Sequence, residues 1–277
     1  MMEPSEWEGS VGTKWAQEWR RTDRSFAGLT DRLLGYARAE PISSVVDIGC
    51  GAGELSLALG RSHPHAELLG IDISQDLIEA AKSRAINSPN VRFEVADAAS
   101  WRSETFTPDL LLSRHGVMFF PDPAAAFANL RRNAEPSARL IFSCFRSVDD
   151  NPWASGLTEL LPPGMSQPPQ SMVPGPFAFA DRDAVEAMLG AAGWEDIEFT
   201  AVDFAYIAGT GEDAVADAKS YLLTIGPAAR AAAELGPADQ AAFVRRLDKF
   251  LESHLDGDLV ALLAGAWIVT ARAPASR

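Results

Sequence analysis

The chain has 277 residues, 47% of them hydrophobic, with 24 basic and 38 acidic side chains and a formal net charge of −14. Length and apolar content suffice for one large or two modest domains with a real core, and they exclude a disordered chain, a collagen and a disulfide scaffold. The acidity argues against nucleic acid as a partner, because phosphates need a basic face, and places no penalty on a cationic ligand.

Cys50 and Cys144 lie far apart in unlike contexts, which predicts neither a disulfide framework nor a metal site. The polar start, MMEPSEWEGSVGTKW, lacks a basic-then-apolar secretory pattern. The longest uncharged apolar run, 259–271, is too short to span a bilayer and contains Gly265. These features predict a soluble, cytoplasmic protein with no membrane partner.

The N-terminal segment carries Trp7, Trp15 and Trp19 before Arg20, Arg21, Asp23 and Phe26. Trp15 and Trp19 are four apart, so one helix would present both on a single face, and such large apolar rings need a surface to pack on. From about 42 to 146, short apolar strands alternate with helices. Strands are predicted at 44–48 (SVVDI), 68–73 (LLGIDI), 91–96, 108–112 and 139–144 (RLIFSC), with helices at 54–61, 75–84 and 124–134. That rhythm belongs to buried parallel strands in a βαβ series, and the right-handed crossover rule turns it into a doubly wound sheet. Residues 151–176, rich in Pro, Gly and Ser, read as a long loop of the kind that serves as a lid or linker. A helix over 184–192, capped by Asp181 and ended by Gly193, precedes strands at 197–207 and 259–271. About fifty residues of helix lie between those strands. The last of these helices starts near Pro237 and lines up Phe243, Leu247, Phe250, Leu251 and Leu255 on one face.

The strongest local signal is Asp47-Ile-Gly-Cys-Gly-Ala-Gly53, where a strand turns into a helix. Its glycines permit a tight turn and close approach of a ligand, and the following helix offers unpaired N–H groups. Asp72 ends the second strand, where a carboxylate can accept hydrogen bonds from two ribose hydroxyls, and Asp97 follows the third. Three acids at three successive strand ends mark the carboxyl edge at which open α/β sheets bind ligands. A nicotinamide dehydrogenase would want glycine or alanine at position 54, but Glu54 stands there and would repel a pyrophosphate.

With VVDIGCGAG (45–53), LLGIDIS (68–74), VRFEVADA (91–98) and RNAEPSARLIFSCF (132–145), the chain resembles the class I S-adenosylmethionine-dependent methyltransferases of the small-molecule kind, similar to the ubiquinone/menaquinone-biosynthesis and trans-aconitate enzymes. The resemblance covers about 42–146 closely and the remainder only in element order. It implies an α/β fold with a Rossmann-like, seven-stranded, mostly parallel sheet whose last strand is antiparallel. It also implies a single domain: a cofactor-binding half at 42–146, the rest of the sheet at 178–208 and 258–273, and a helical cap from 1–38, 147–177 and 210–256. The cofactor would be S-adenosylmethionine, leaving as S-adenosylhomocysteine, with no metal. Asp47, Gly49 and Gly51 would hold its methionine part, Cys50 of the same turn would also contact the cofactor, Asp72 would bind the ribose, Ile73 and Ala98 would flank the adenine, and Asp97 would meet the adenine amino group. Where family members often carry Pro-Gly-Gly before the fifth strand, this chain has Pro136-Ser-Ala138, a structural turn.

Ser113 and Arg114 leave the fourth strand toward the cofactor's methionine end. His115 is the histidine of that strand-end region and hence the candidate general base, with a loop-satisfying role as the competing reading. Trp15, Trp19, Phe119 and Trp153 are candidates for the wall over cofactor and substrate. The expected reaction is methyl transfer to a small, partly apolar metabolite, at oxygen before nitrogen or carbon. A peptide or protein acceptor and a cofactor-binding regulatory protein without turnover are the alternatives, and the protein would be a monomer or homodimer.

Overall fold

The computed structural model describes residues 4–162, 164–165 and 170–276. Four short helices open the chain: α1 (Pro4–Glu8), α2 (Ser10–Gln17), α3 (Trp19–Ser25) and α4 (Ala27–Ala37). The alternating region then follows as β1 (Ser44–Ile48), α5 (Glu54–Ser62), β2 (Glu67–Asp72), α6 (Gln75–Arg84), β3 (Val91–Val95), β4 (Leu110–Arg114), α7 (Pro123–Asn133) and β5 (Arg139–Phe145). Beyond it come α8 (Pro152–Glu159), α9 (Arg182–Ala191), β6 (Glu195–Thr210), α10 (Ala214–Thr224), α11 (Gly226–Glu234), α12 (Pro237–Glu252), β7 (Leu255–Asp256) and β8 (Leu259–Arg272).

Among the described residues the strands form one eight-stranded sheet in the order β3-β2-β1-β4-β5-β8-β6, with β7 paired to β8 off that path. β1 to β5 are mutually parallel, and β8 runs antiparallel between β5 and β6. The order reverses beside β1, so the chain ends of β1, β2 and β4 open into one crevice, the place where doubly wound sheets take ligands. β5 is buried along its whole length, as a strand covered on both faces by helices must be. Among the described residues no helix is long and apolar enough to cross a membrane.

Several expectations are corrected in detail. The eighth strand, β7, is a two-residue piece of a hairpin that turns at Gly257 (φ +61°). It takes Leu255 off the helical face and leaves it exposed, whereas Phe243, Leu247 and Leu251 of α12 are fully buried. Within the stretch expected to be a loop, α8 forms because Pro152 opens it, where its missing N–H costs nothing, and Trp153, Ala154 and Leu157 bury a common face. Pro163 and residues 166–169 of that stretch lie outside the described residues, as do Met1–Glu3 of the expected N-terminal cap segment and Arg277. Trp15 and Trp19 do not share one helix: the chain bends at Glu18 (φ −93°, ψ 11°), which ends α2 and begins α3. β4 starts two residues later than expected, at Leu110, and runs on through Ser113 and Arg114, which pair with Phe142 and Ser143 of β5.

Candidate functional site

β1 delivers Asp47 to the crevice, in register with Gly70 of β2 and Leu112 of β4. Its side chain is 2% exposed. Oδ2 accepts from the Ser56 amide at 3.1 Å and the Ser56 hydroxyl at 2.6 Å, while Oδ1 is buried with no partner. Burial pushes the carboxyl up to about 6 against the pull of Ser56 and of Arg114. After β1 the chain turns at Gly49 (φ +61°), packed so tightly that a Cβ there would lie 2.9 Å from the Gly116 Cα. Gly51 (φ +54°) differs: a Cβ on it would meet no heavy atom within 4 Å, so its bare backbone faces open cavity.

Asp72, the last residue of β2, holds this turn from the other side. Oδ2 accepts from the Gly51 amide and Oδ1 from the Ser74 amide, both at 2.9 Å. Each oxygen retains a further lone pair, and burial raises the pKa of the group. Asp97 is exposed after β3, its Oδ1 accepting from the Ala99 amide at 2.9 Å, with Ala98 buried beside it.

On the β4 side, Arg114 is a shared cation. Its guanidinium pairs with Glu54 and donates to Thr30 Oγ1 at 2.7 Å, with Asp23 at 3.7 Å, and it lies 5.3 Å from the Phe26 ring centroid. Burial and the charge of Asp23 raise the Glu54 carboxyl, opposing Arg114. His115 follows in the left-handed region (φ +64°), 8% exposed, stacked on Phe145 at 4.2 Å between centroids. Its Nδ1 lies 3.4 Å from the Ser143 hydroxyl, and Nε2 is buried without a partner. Burial, reinforced by Arg114, lowers its pKa to about 3, so the ring is neutral near pH 7.

Asp47, Gly49, Gly51, Glu54, Asp72, Asp97, Arg114 and His115 border one cavity of about 570 Å³. The same cavity is walled by residues from the N-terminal helices (Trp7, Trp15, Trp19), from α8 (Trp153, Leu157) and from the α10–α11 junction (Leu222, Ile225). Among the described residues, no group of three or more His, Cys, Asp and Glu side chains is placed to hold a metal ion.

Residues 45–137 match the family described as Methyltransferase domain. Among curated proteins, a trans-aconitate 2-methyltransferase of Methylobacterium radiotolerans is 29% identical over 140 residues, covering 45% of this chain and 51% of the relative. A malonyl-[acyl-carrier protein] O-methyltransferase of Hahella chejuensis is 33% identical over 113 residues, covering 41% of this chain and 40% of the relative. The chain therefore spans about half the length of the curated relatives it matches. Among solved structures, a putative methyltransferase from Bacillus halodurans shares the fold at TM-score 0.53 and 14% identity, covering 88% of this chain and 98% of that one. About a third of the chain, residues 45–137, thus resembles a methyltransferase domain. The fold of the chain is also shared by a [4+2]-cyclase, at TM-score 0.53 and 19% identity over 89% of this chain and 80% of that one.

The residues marked from sequence separate into two groups. Asp47, Gly49, Cys50, Gly51, Asp72, Ile73, Asp97, Ala98, Arg114 and His115 all line the cavity, as do Trp15, Trp19, Phe119 and Trp153. Ser113 does not: it is fully buried and its hydroxyl donates to the Ile48 carbonyl at 2.7 Å, tying β4 to β1. Cavity residues that sequence reasoning passed over include Glu54, Phe145, Tyr206 and Ile225. Phe145 and Tyr206 lie in strands with ordinary core periodicity, so no local signal separates a ring that faces the cavity from one that faces the core. Glu54 carried a signal, an acid where a dinucleotide fold wants glycine, and its partner Arg114 shows what it does.

Proposed function

We propose that this protein binds S-adenosylmethionine at the β1–β2–β3 edge and transfers its methyl group to a small, partly apolar metabolite. The observation that carries this reading is a single cavity running from the strand-end acids to an aromatic wall. The acids fit the cofactor's chemistry. The buried, unpartnered Oδ1 of Asp47 lacks a donor, which the amino group of a methionine moiety would supply, and Gly51 leaves room for it. Asp72 keeps lone pairs for ribose hydroxyls, Asp97 is exposed and keeps lone pairs for an adenine amino group, and Ile73 and Ala98 line the same cavity. When bound, the cofactor supplies an electrophilic methyl group on a sulfonium. The chain's part is alignment and exclusion of water, which the walls from α1–α3, α8 and α11 provide.

Oxygen is the favoured acceptor atom because the neutral His115 ring offers a buried, unpartnered Nε2 to accept a hydrogen bond from a hydroxyl. By their names the relatives act on trans-aconitate or malonyl-[acyl-carrier protein], and small-molecule methylation is the reading they support. Segments on every side of the cavity disfavour a peptide acceptor. Calorimetric titration with S-adenosylhomocysteine tests the cofactor site: wild type binds, and Asp72→Ala loses about 1.5–3 kcal/mol of affinity. Unchanged binding in that variant would sink the assignment. Labelled methyl transfer into a metabolite panel tests turnover, and a complete negative with tight cofactor binding would favour a regulatory protein instead.

A further inference from the structure

We infer that the acceptor site holds a neutral, planar molecule of phenol or enol type, its flat body among Phe26, Phe145, Trp153 and Tyr206 and its hydroxyl donating to Nε2 of His115. The inference rests on the methyltransferase reading and names the acceptor class which that reading leaves open.

Five rings from five places in the chain close a circuit beside the cofactor turn. Phe26 and His115 are 5.2 Å apart edge to face, His115 and Phe145 4.2 Å apart and stacked, and Phe145 and Trp153 5.2 Å apart. Trp153 stacks on Tyr206 at 5.5 Å, and Tyr206 returns to Phe26 at 5.4 Å. All five border the cavity. The circuit also touches the reactive end of the crevice, because Gly116, the residue after His115, packs directly on Gly49. Rings so arranged present flat, polarisable faces that favour a planar partner in offset or edge-on contact.

The polar atoms of the circuit are spoken for, with one exception. Trp153 Nε1 donates to Asn151 Oδ1 at 3.0 Å, and the Tyr206 hydroxyl lies within reach of Ser25 and Tyr221. His115 Nε2 alone among them is buried with no partner, a cost of about 1–3 kcal/mol that a bound hydrogen-bonding group would relieve. The inference assigns the tautomer in which the Nδ1 hydrogen is donated to the Ser143 hydroxyl and Nε2 carries the lone pair, so that the missing partner is a donor.

The surroundings disfavour charge of either sign. The same burial that raises Asp47 and Glu54 lowers His115, so an ionised carboxylate and an ammonium group would both be penalised here. Of the cations bordering the cavity, Arg114 is held by Glu54, Thr30 and Asp23, Arg230 pairs with Glu6 at 3.1 Å, and Lys14 of α2 is solvent-exposed.

The test measures binding of β-naphthol, its methyl ether, β-naphthoate and naphthylmethylammonium to the full chain, with and without S-adenosylhomocysteine. Wild type should bind the naphthol about tenfold more tightly than the ether, the carboxylate or the ammonium. His115→Phe should erase the preference for naphthol over its ether, and His115→Gln, which restores an acceptor oxygen, should recover part of it. Circular dichroism and S-adenosylhomocysteine affinity report whether each variant is folded. The inference is overturned if the carboxylate or the ammonium binds as tightly as the naphthol, or if folded His115→Phe keeps the preference. Naphthol preference without S-adenosylhomocysteine binding would remove the methyltransferase reading and keep the aromatic site; the reverse would remove the site and keep the reading.

Discussion

Asp47 and His115 are buried titratable groups whose pKa values move in opposite directions, and each makes stability depend on pH with its own sign. Asp47 rises from 3.8 to about 6, so between those values the folded state holds a proton that the unfolded state has released. Stability from this group therefore falls as pH rises, and the ionised carboxylate costs about 3 kcal/mol above pH 6. Asp47→Asn keeps an acceptor for Ser56 and removes the charge. It should raise the urea midpoint at pH 7.5, with a gain in unfolding free energy of up to that amount and little gain at pH 4, while weakening S-adenosylhomocysteine binding at least tenfold. A lower midpoint at pH 7.5 would contradict this account. His115 falls from 6.5 to about 3, so on acidification the unfolded state takes up a proton that the folded state refuses. Stability from this group is complete above pH 6.5 and is lost as pH falls toward 3, by about 2 kcal/mol at pH 5. His115→Gln should thus gain about 2 kcal/mol relative to wild type between pH 7.5 and pH 5, read from paired urea titrations. Equal pH dependence in the two proteins would show that the ring is not shielded from protons.

At the scale of elements, the N-terminal helices are fastened over the crevice by a few specific contacts. Arg84, the last residue of α6, donates to the Ala52 carbonyl at 2.8 Å, pairs with Asp23 of α3 at 2.7 Å, and lies 3.8 Å over the Trp19 ring. Thr13 of α2 reaches Asp76 of α6 at 2.5 Å, and Arg24 pairs with Asp217 of α10 at 2.7 Å. The pair of Arg84 and Asp23 is less than one-fifth exposed, and the cation sits on an aromatic face, so it exceeds an ordinary surface pair. Arg84→Met keeps the stem and removes all three contacts. It should cost about 1–2 kcal/mol of stability and speed amide hydrogen exchange in residues 10–25 about tenfold, with β4 and β5 unaffected. Unchanged exchange in that segment would mean that packing of the tryptophans alone holds the helices.

For the whole molecule, the −14 charge narrows to a local question. A few acids gather at the crevice, where Arg84 and Arg114 counter Asp23 and Glu54, while Asp47 and Asp72 face the cavity beside the glycine turn. The alternating half was readable because parallel strands buried on both faces must be short and apolar, and because a strand-to-helix turn around a ligand demands glycine. β1 and α6 accordingly lie where the residues put them. α8 was not readable, since its Pro, Gly and Ser content argues for a loop until Trp153 and Leu157 find a surface to bury against. Nor was the role of Ser113, whose hydroxyl could face a ligand or a neighbouring strand until the register with β1 was known. The sequence by itself determined the doubly wound sheet, the glycine turn and the acids at the strand ends, because each follows from short-range backbone chemistry. Only the tertiary structure decided that Phe26, His115, Phe145, Trp153 and Tyr206 meet around one cavity. Their contacts join residues up to 180 positions apart, and no local pattern distinguishes such a ring from the rest of an apolar core.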